Sequence, residues 1–245
     1  HHSGITMLTS QPFIPSTLNN NGLNLQCVFN IDDLPKGLIA QIRSQVDDLA
    51  SYRQLILIGH GGKQLWQSMT ANNPPANDPI DRFTLSVIDQ WLEQFSPSIN
   101  HHIVYPVDAA NNAVVDLMAL GELANWHHES PFKVGINTVW GPWFAYRAVV
   151  LIDSQFPTTP RLSPLSPCDS CSHKPCINSC PAKACNEYDF ELNKCISYRK
   201  QDKSKCADTC LAREACPIQT QHRYPRSQIN YHYRESLKII HQYNL

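Results

Sequence analysis

The sequence has no long apolar run, almost no net charge and, over its first 155 residues, a single cysteine, Cys27. Its longest apolar stretches, such as Ala148-Val149-Val150-Leu151-Ile152, fall far short of the roughly 20 residues of a membrane-crossing helix, so no membrane span is expected. With 20 basic and 21 acidic side chains the formal charge is −1, which excludes a global field drawing the chain to nucleic acid or anionic lipid. No charged and apolar leader is visible. His1-His2-Ser3-Gly4-Ile5-Thr6 reads as the remnant of a tag before Met7, and residues 1–6 are set aside. A disulfide framework belongs to small secreted domains, whereas this chain shows no secretion signal and has a large cysteine-poor half, so a reducing cytoplasmic location is expected.

What is present is a core-forming half and a thiol-rich segment. The chain has 245 residues, 42% of them hydrophobic, enough for one good core and a smaller appendix. In residues 7–156 helical and strand-like patterns alternate. Residues 34–50 are predicted helical behind Asp32, Asp33 and Pro35, and Leu55-Ile56-Leu57-Ile58 is a short buried strand running into Gly59-His60-Gly61-Gly62. Phe83, Val87, Ile88, Trp91, Leu92 and Phe95 recur at the helical period behind Asp81 as cap. Residues 102–105 read as a strand, 111–126 as a helix, and 134–153 as two strands bent at Trp140-Gly141-Pro142. This order implies a layered α/β or α+β domain. A proline-rich connector at 157–167 then leads into a cysteine module at 168–222, and residues 223–245 are predicted to dock as a helix through Ile229, Tyr233, Leu237 and Ile240.

Nine of the 10 cysteines lie between Cys168 and Cys216. The first four read Cys168-x2-Cys171-x4-Cys176-x3-Cys180-Pro181, close to the thiolate run that holds iron–sulfur clusters in bacterial ferredoxins. Cys195 and Cys206-x3-Cys210-x5-Cys216-Pro217 follow, so each half ends on Cys-Pro. If the halves exchange ligands as in two-cluster ferredoxins, Cys168, Cys171, Cys176 and Cys216 bind one four-iron cluster and Cys180, Cys195, Cys206 and Cys210 the other. Cys185 is then surplus: it can replace Cys195, pair in a disulfide or remain a buried thiol. Zinc tetrathiolate sites and a disulfide-bonded module are the rival readings of the same residues.

Two sets of residues carry a family resemblance. The module, with Lys194-Cys195-Ile196-Ser197-Tyr198 after the first Cys-Pro, resembles the ferredoxin-like domain of epoxyqueuosine reductases, cobalamin-dependent iron–sulfur enzymes related to reductive dehalogenases. Pro106-Val107-Asp108, the segment Leu120-Gly121-Glu122-Leu123-Ala124-Asn125-Trp126 and Gly141-Pro142-Trp143-Phe144 parallel that family's first domain. Asp78-Pro79-Ile80-Asp81 and the run from Gly141 to Leu151 are also similar to the cobalamin-processing chaperones of the CblC type, which share a modified nitroreductase-like fold with the reductases.

The resemblance implies a nitroreductase-like domain with a corrinoid site, fed by two 4Fe–4S clusters in the ferredoxin-like module. It makes Asp108 the proton donor, with a helix cap as its plain structural alternative. Arg147 matches a chaperone arginine that contacts a thiol cosubstrate. His60, beside glycines that admit a ligand, His127 in the pocket lip and Trp143 as an aromatic wall complete the candidate cofactor contacts. Lys63 does not make a phosphate loop, because the Ser/Thr and the upstream glycine spacing are missing. The expected activity is electron transfer to a bound cobalamin or to a substrate reduced through it. The alternatives are a cobalamin carrier without turnover, a flavin-dependent reductase and a simple electron carrier. Implied partners are an electron donor such as a flavodoxin or ferredoxin reductase and a corrinoid or small molecule. The reductases' helical-repeat domain, which helps grip tRNA, is not found in the sequence, and tRNA is not expected as substrate.

Overall fold

A computed structural model describes residues 11–107 and 115–245. The described chain divides into two compact units, the first comprising residues 11–60, 67–107, 115–121 and 145–161, the second Gly61–Trp66, Glu122–Phe144 and Leu162–Leu245. Elements follow in the order α1 (Ser16–Asn20), β1 (Leu25–Asn30), α2 (Lys36–Arg43), β2 (Gln54–Gly61), α3 (Gln64–Ala71), α4 (Pro79–Leu92), β3 (His101–Tyr105), α5 (Leu117–Leu123) and β4 (Phe144–Ile152). After them come α6 (Pro175–Ser179), α7 (Leu192–Arg199), α8 (Leu211–Ala215) and α9 (Arg226–Gln242). The fold is mixed α/β.

The sheet has four strands in the order β1-β2-β4-β3, with β1/β2 and β3/β4 antiparallel. The two central strands are the two apolar runs of the sequence. Every residue of β2 is buried, and so are Ala148 through Ile152 of β4. A strand buried on both faces needs this unbroken apolar pattern rather than alternation. Leu55, Ile56, Leu57 and Ile58 are each fully buried, and burial of side chains of this size stabilises by about 1.5–3 kcal/mol apiece as an upper bound. Edge strand β3 begins with exposed His101 and His102, which suits an edge that must not recruit another strand.

Helix α4 buries Val87, Ile88, Trp91 and Leu92, with Phe83 and Phe95 half-buried on the same stripe. The Trp91 indole donates to the Ile14 carbonyl at 2.9 Å and joins Phe13, Phe95 and Phe156 in an aromatic cluster. The residue at the cap is Asp78, in a left-handed conformation with Pro79 opening the helix, and Asp81 sits in the first turn. Proline pre-sets the φ angle of a first helical residue and has no N–H to orphan, so it fixes the start.

The cap is therefore Asp78 where Asp81 was expected, and three further expectations are corrected. The helix predicted over 34–50 ends at Arg43, and the chain continues through turns to a 3-10 turn at Leu49–Ser51. Of the helix over 111–126, residues 111–114 lie outside the described residues and the helical part is Leu117–Leu123. Residues 134–143 do not form a strand. The Asn137 side-chain oxygen accepts the N–H groups of Val139 at 2.9 Å and Trp140 at 3.1 Å, and Gly141 turns at φ +60°. Such a side-chain turn gives the backbone a local alternative to a sheet ladder.

Candidate metal centre

In the second unit α6 packs against α8, and each short helix lies between cysteines: Cys176 is within α6 and Cys180 caps its end, while Cys210 and Cys216 cap the two ends of α8. A proline after Cys180 and another after Cys216 stop both helices after about one turn, because proline cannot continue the backbone ladder. Phe132, Ile136, Ala212 and the cysteines Cys176, Cys185 and Cys216 form one buried cluster, joined by half-buried Cys168, Cys180 and Cys210.

In and around this cluster the thiols sort into two neighbourhoods. Cys176 and Cys216 both feel Cys168 and Cys171, and Cys176 also feels Cys216. Cys195 and Cys206 both feel Cys210 and Cys180, and Cys210 feels Cys180. This second set lines a cavity of about 100 Å³ together with Cys185 and the apolar side chains Phe132, Val134 and Phe190. Cys185 shares a side-chain hydrogen bond with Cys180 and also lies near Cys210 and, from the first set, Cys176.

Burial, and then neighbouring thiols, push Cys176 and Cys195 each up to about 11. These two are neutral thiols near neutral pH, and converting them to thiolate ligands releases protons and needs a strongly cationic centre. Backbone N–H groups reach the sulfurs: Ile177 to Cys176, Leu211 to Cys206, Ala212 and Arg213 to Cys210, and Ile218 to Cys216. Such amide bonds offset negative charge on thiolate sulfur and tune a cluster's potential. Among the described residues no group of three or more His, Cys, Asp or Glu side chains is placed to hold a metal ion. Thiol donors with backbone amides directed at their sulfurs are the donor chemistry that iron–sulfur clusters use.

Two residues of this neighbourhood carry no signature in the sequence. Arg199 and Arg213 are each only 8% exposed. Arg199 donates to the Cys206 carbonyl at 3.1 Å, and Arg213 donates twice to the Pro142 carbonyl, at 3.1 and 2.6 Å. The one available hint was a cation placed between Cys210 and Cys216 in a helix otherwise made largely of small and apolar residues.

The other expected contacts divide between the units. In the first, His60 is fully buried and its Nδ1 accepts the Arg147 Nε–H at 3.0 Å, which fixes the tautomer with the proton on Nε2. Asp81 and Tyr105 share this electrostatic neighbourhood. Burial raises both, and Arg147 partly offsets the rise in each. The space over Gly61 and Gly62 is taken by the Trp140 indole: a β-carbon built at Gly61 would stand 2.0 Å from its Cδ2. These glycines thus admit a side chain of the protein itself. In the second unit Trp143 is fully buried, with the Arg213 guanidinium 4.7 Å from its ring centre and Tyr224 edge-on at 5.3 Å. His127 is half-buried over Gly135, and burial lowers its pKa so that the ring is neutral at pH 7. Asp108 lies outside the described residues.

No protein-family model matches the sequence, and no curated protein does. Solved structures do match. An epoxyqueuosine reductase from Bacillus subtilis aligns with 86% of this chain at 14% identity and a TM-score of 0.51. One solved with a tRNA-Tyr epoxyqueuosine-modified stem loop aligns with 88% at 10% identity and a TM-score of 0.52. The chain has the epoxyqueuosine reductase fold. It covers 66% of each of those two reductase chains, a little under two thirds. The B12-trafficking protein CblC of C. elegans aligns with 90% of this chain and 88% of its own at 11% identity, with a TM-score of 0.46 that carries no argument. The likeness to the epoxyqueuosine reductases is one of fold, and what this chain does must be read from its own residues.

Proposed function

We propose that this protein is an iron–sulfur reductase that passes electrons through two 4Fe–4S clusters to a bound cobalamin, or to a substrate reduced through it. The observation that carries the reading is the pairing of one thiol-lined cavity, holding Cys180, Cys195, Cys206 and Cys210, with a second thiol neighbourhood of Cys168, Cys171, Cys176 and Cys216. When bound, the clusters supply one-electron transfer and a corrinoid supplies a cobalt centre reducible at the metal.

The chain's own residues have separable tasks. The eight cysteines hold the clusters, and the amides of Ile177, Leu211, Ala212, Arg213 and Ile218 offset charge on the sulfurs. Phe132, Val134 and Phe190 keep water from the second cavity. Asp108 is the proton donor that the family resemblance assigns, and the His60–Arg147 pair orients an anionic group of the bound ligand. The corrinoid itself rests on the resemblance to the epoxyqueuosine reductases. The outside reductant is a one-electron donor of the flavodoxin or ferredoxin reductase class.

The test is a titration of anaerobically prepared, cluster-loaded protein with hydroxocobalamin under dithionite, followed by absorption spectroscopy. A shifted corrin band with cobalt reduction faster than in cluster-free protein is expected; a corrin spectrum unchanged by the protein counts against the reading. Because one protein of this fold was solved with a tRNA stem loop, a tRNA substrate is the second reading. It predicts salt-sensitive binding of a tRNA anticodon stem loop, which the first does not require.

A further inference from the structure

The two thiol neighbourhoods differ in the charges around them. Next to the Cys180, Cys195, Cys206 and Cys210 cavity stand two buried guanidinium groups. Arg199 lines the cavity itself, its Nη2 donating to the Tyr233 carbonyl at 2.8 Å and its Nη1 to the Ser236 hydroxyl at 2.9 Å. Arg213 adjoins Cys210 and reaches the Tyr233 hydroxyl at 3.4 Å, its flat face lying against Trp143 at 4.7 Å and Tyr224 at 5.2 Å. Every protein partner named here is neutral. Among the described residues neither arginine is in an ion pair. A buried charge without a countercharge is among the most costly features a fold can carry, and aromatic faces and carbonyls offset only part of it.

The first neighbourhood is furnished differently. Its nearby cations are Lys174, which is partly exposed and lies 4.0 Å from Glu187, and half-buried Arg223, while the carboxylate of Asp169 opposes them. A four-iron core with four thiolates carries about two negative charges when oxidised and about three when reduced, so each buried cation favours the reduced state. The second neighbourhood thus has two buried guanidinium groups against one half-buried guanidinium and one partly exposed ammonium at the first.

We infer that Arg199 and Arg213 are built-in countercharges for an iron–sulfur centre held by Cys180, Cys195, Cys206 and Cys210, and that they make it easier to reduce than the centre held by Cys168, Cys171, Cys176 and Cys216. This deepens the reading of the module as a two-cluster carrier and rests on it. Both arginines are positioning residues, acting on the potential through space. They take no part in bond making, and one electron is the only species exchanged.

The experiment is a redox titration of anaerobically reconstituted protein followed by electron paramagnetic resonance, on wild type, Arg213→Met, Arg213→Lys and Arg199→Met. Wild-type signals are assigned with Cys171→Ser, which removes a ligand of the first centre, and Cys206→Ser, which removes one of the second. The expected result is that the signal lost in Cys206→Ser has the higher potential. Each methionine variant moves that signal alone to a more negative potential, and Arg213→Lys restores most of the shift. The inference is overturned if the signal lost in Cys171→Ser has the higher potential, an outcome that needs no arginine variant to fold. It is equally overturned if the methionine variants, with full iron content, leave both potentials where they were. A wild-type protein that takes up no iron and sulfide instead refutes the cluster reading itself, so the two failures are told apart.

Discussion

Replacing Gly61 by alanine should reverse the usual sign of a glycine-to-alanine change in a strand. Gly61 ends β2 with no positive φ, so alanine is conformationally acceptable there. Reduced freedom of the unfolded chain alone would then stabilise the variant by about 0.4–1 kcal/mol. In the folded protein, however, the new β-carbon would stand 2.0 Å from Cδ2, 2.3 Å from Cγ and 2.4 Å from Cε2 of Trp140. The indole cannot simply retreat, because its ring centre is 4.5 Å from that of His222. Forcing a carbon into such a contact costs about 1–3 kcal/mol, and a rigid, boxed ring belongs at the upper end. Gly61→Ala is therefore expected to destabilise by about 2 kcal/mol net, and in a Trp140→Ala background to be neutral or slightly stabilising. The coupling between the two positions is then about 3 kcal/mol. Urea unfolding followed by far-ultraviolet circular dichroism measures it: with a slope near 2–3 kcal/mol/M, Gly61→Ala lowers the midpoint by roughly 1 M. Equal costs in both backgrounds, or a stabilised single variant, would refute the packing of Trp140 on Gly61.

Two further outcomes are expected. Glu214 lies mostly buried on α8, where a two-point hydrogen bond from Arg226, 2.7 Å to each oxygen, and a bond from the Thr209 hydroxyl hold its carboxyl below the ordinary range. A depressed carboxyl contributes stability above its unfolded pKa of about 4.3 and loses it as pH falls through the folded value. Glu214→Gln should thus cost about 1 kcal/mol at pH 7, allowing for the exposed arginine, with the two stability curves converging at acid pH; a difference independent of pH rejects this. Cys185→Ala should leave iron and sulfide content unchanged while Cys206→Ser loses about half of each, since Cys185 stands beside Cys180 as a buried thiol raised above its normal pKa by burial and by Cys180. Equal losses in both variants would make Cys185 a ligand.

Much of the fold was legible where one physical signal dominates. Leu55–Ile58 and Ala148–Ile152 are apolar runs too short for buried helices, and they became the central strands. The stripe through Val87, Ile88, Trp91 and Leu92 could only be buried as a helix. Legibility failed where side chains redirect the backbone. Asn137 converts a strand-like segment into a turn, and α2 stops at Arg43 ahead of Asp47 and Asp48, whose charges are unfavourable at a helix C-terminus. In the candidate site, cysteine spacing drew attention to the segment because ligand geometry constrains spacing directly. Buried arginines leave no such trace. Arg199 and Arg213 sit in ordinary helical sequence, and only tertiary packing against Trp143, Tyr224 and Tyr233 shows them to be enclosed. The occupancy of Gly61 by Trp140 was equally hidden, since the two are distant in sequence.

The central claim is that the thiol neighbourhoods hold two four-iron clusters. Iron and acid-labile sulfide quantitation on anaerobically purified protein, with an absorption spectrum before and after dithionite, tests it most directly. The account predicts about eight irons and eight sulfides per chain and a broad charge-transfer shoulder that bleaches on reduction. A colourless protein with zinc or no metal, or with disulfides among these cysteines, would contradict it.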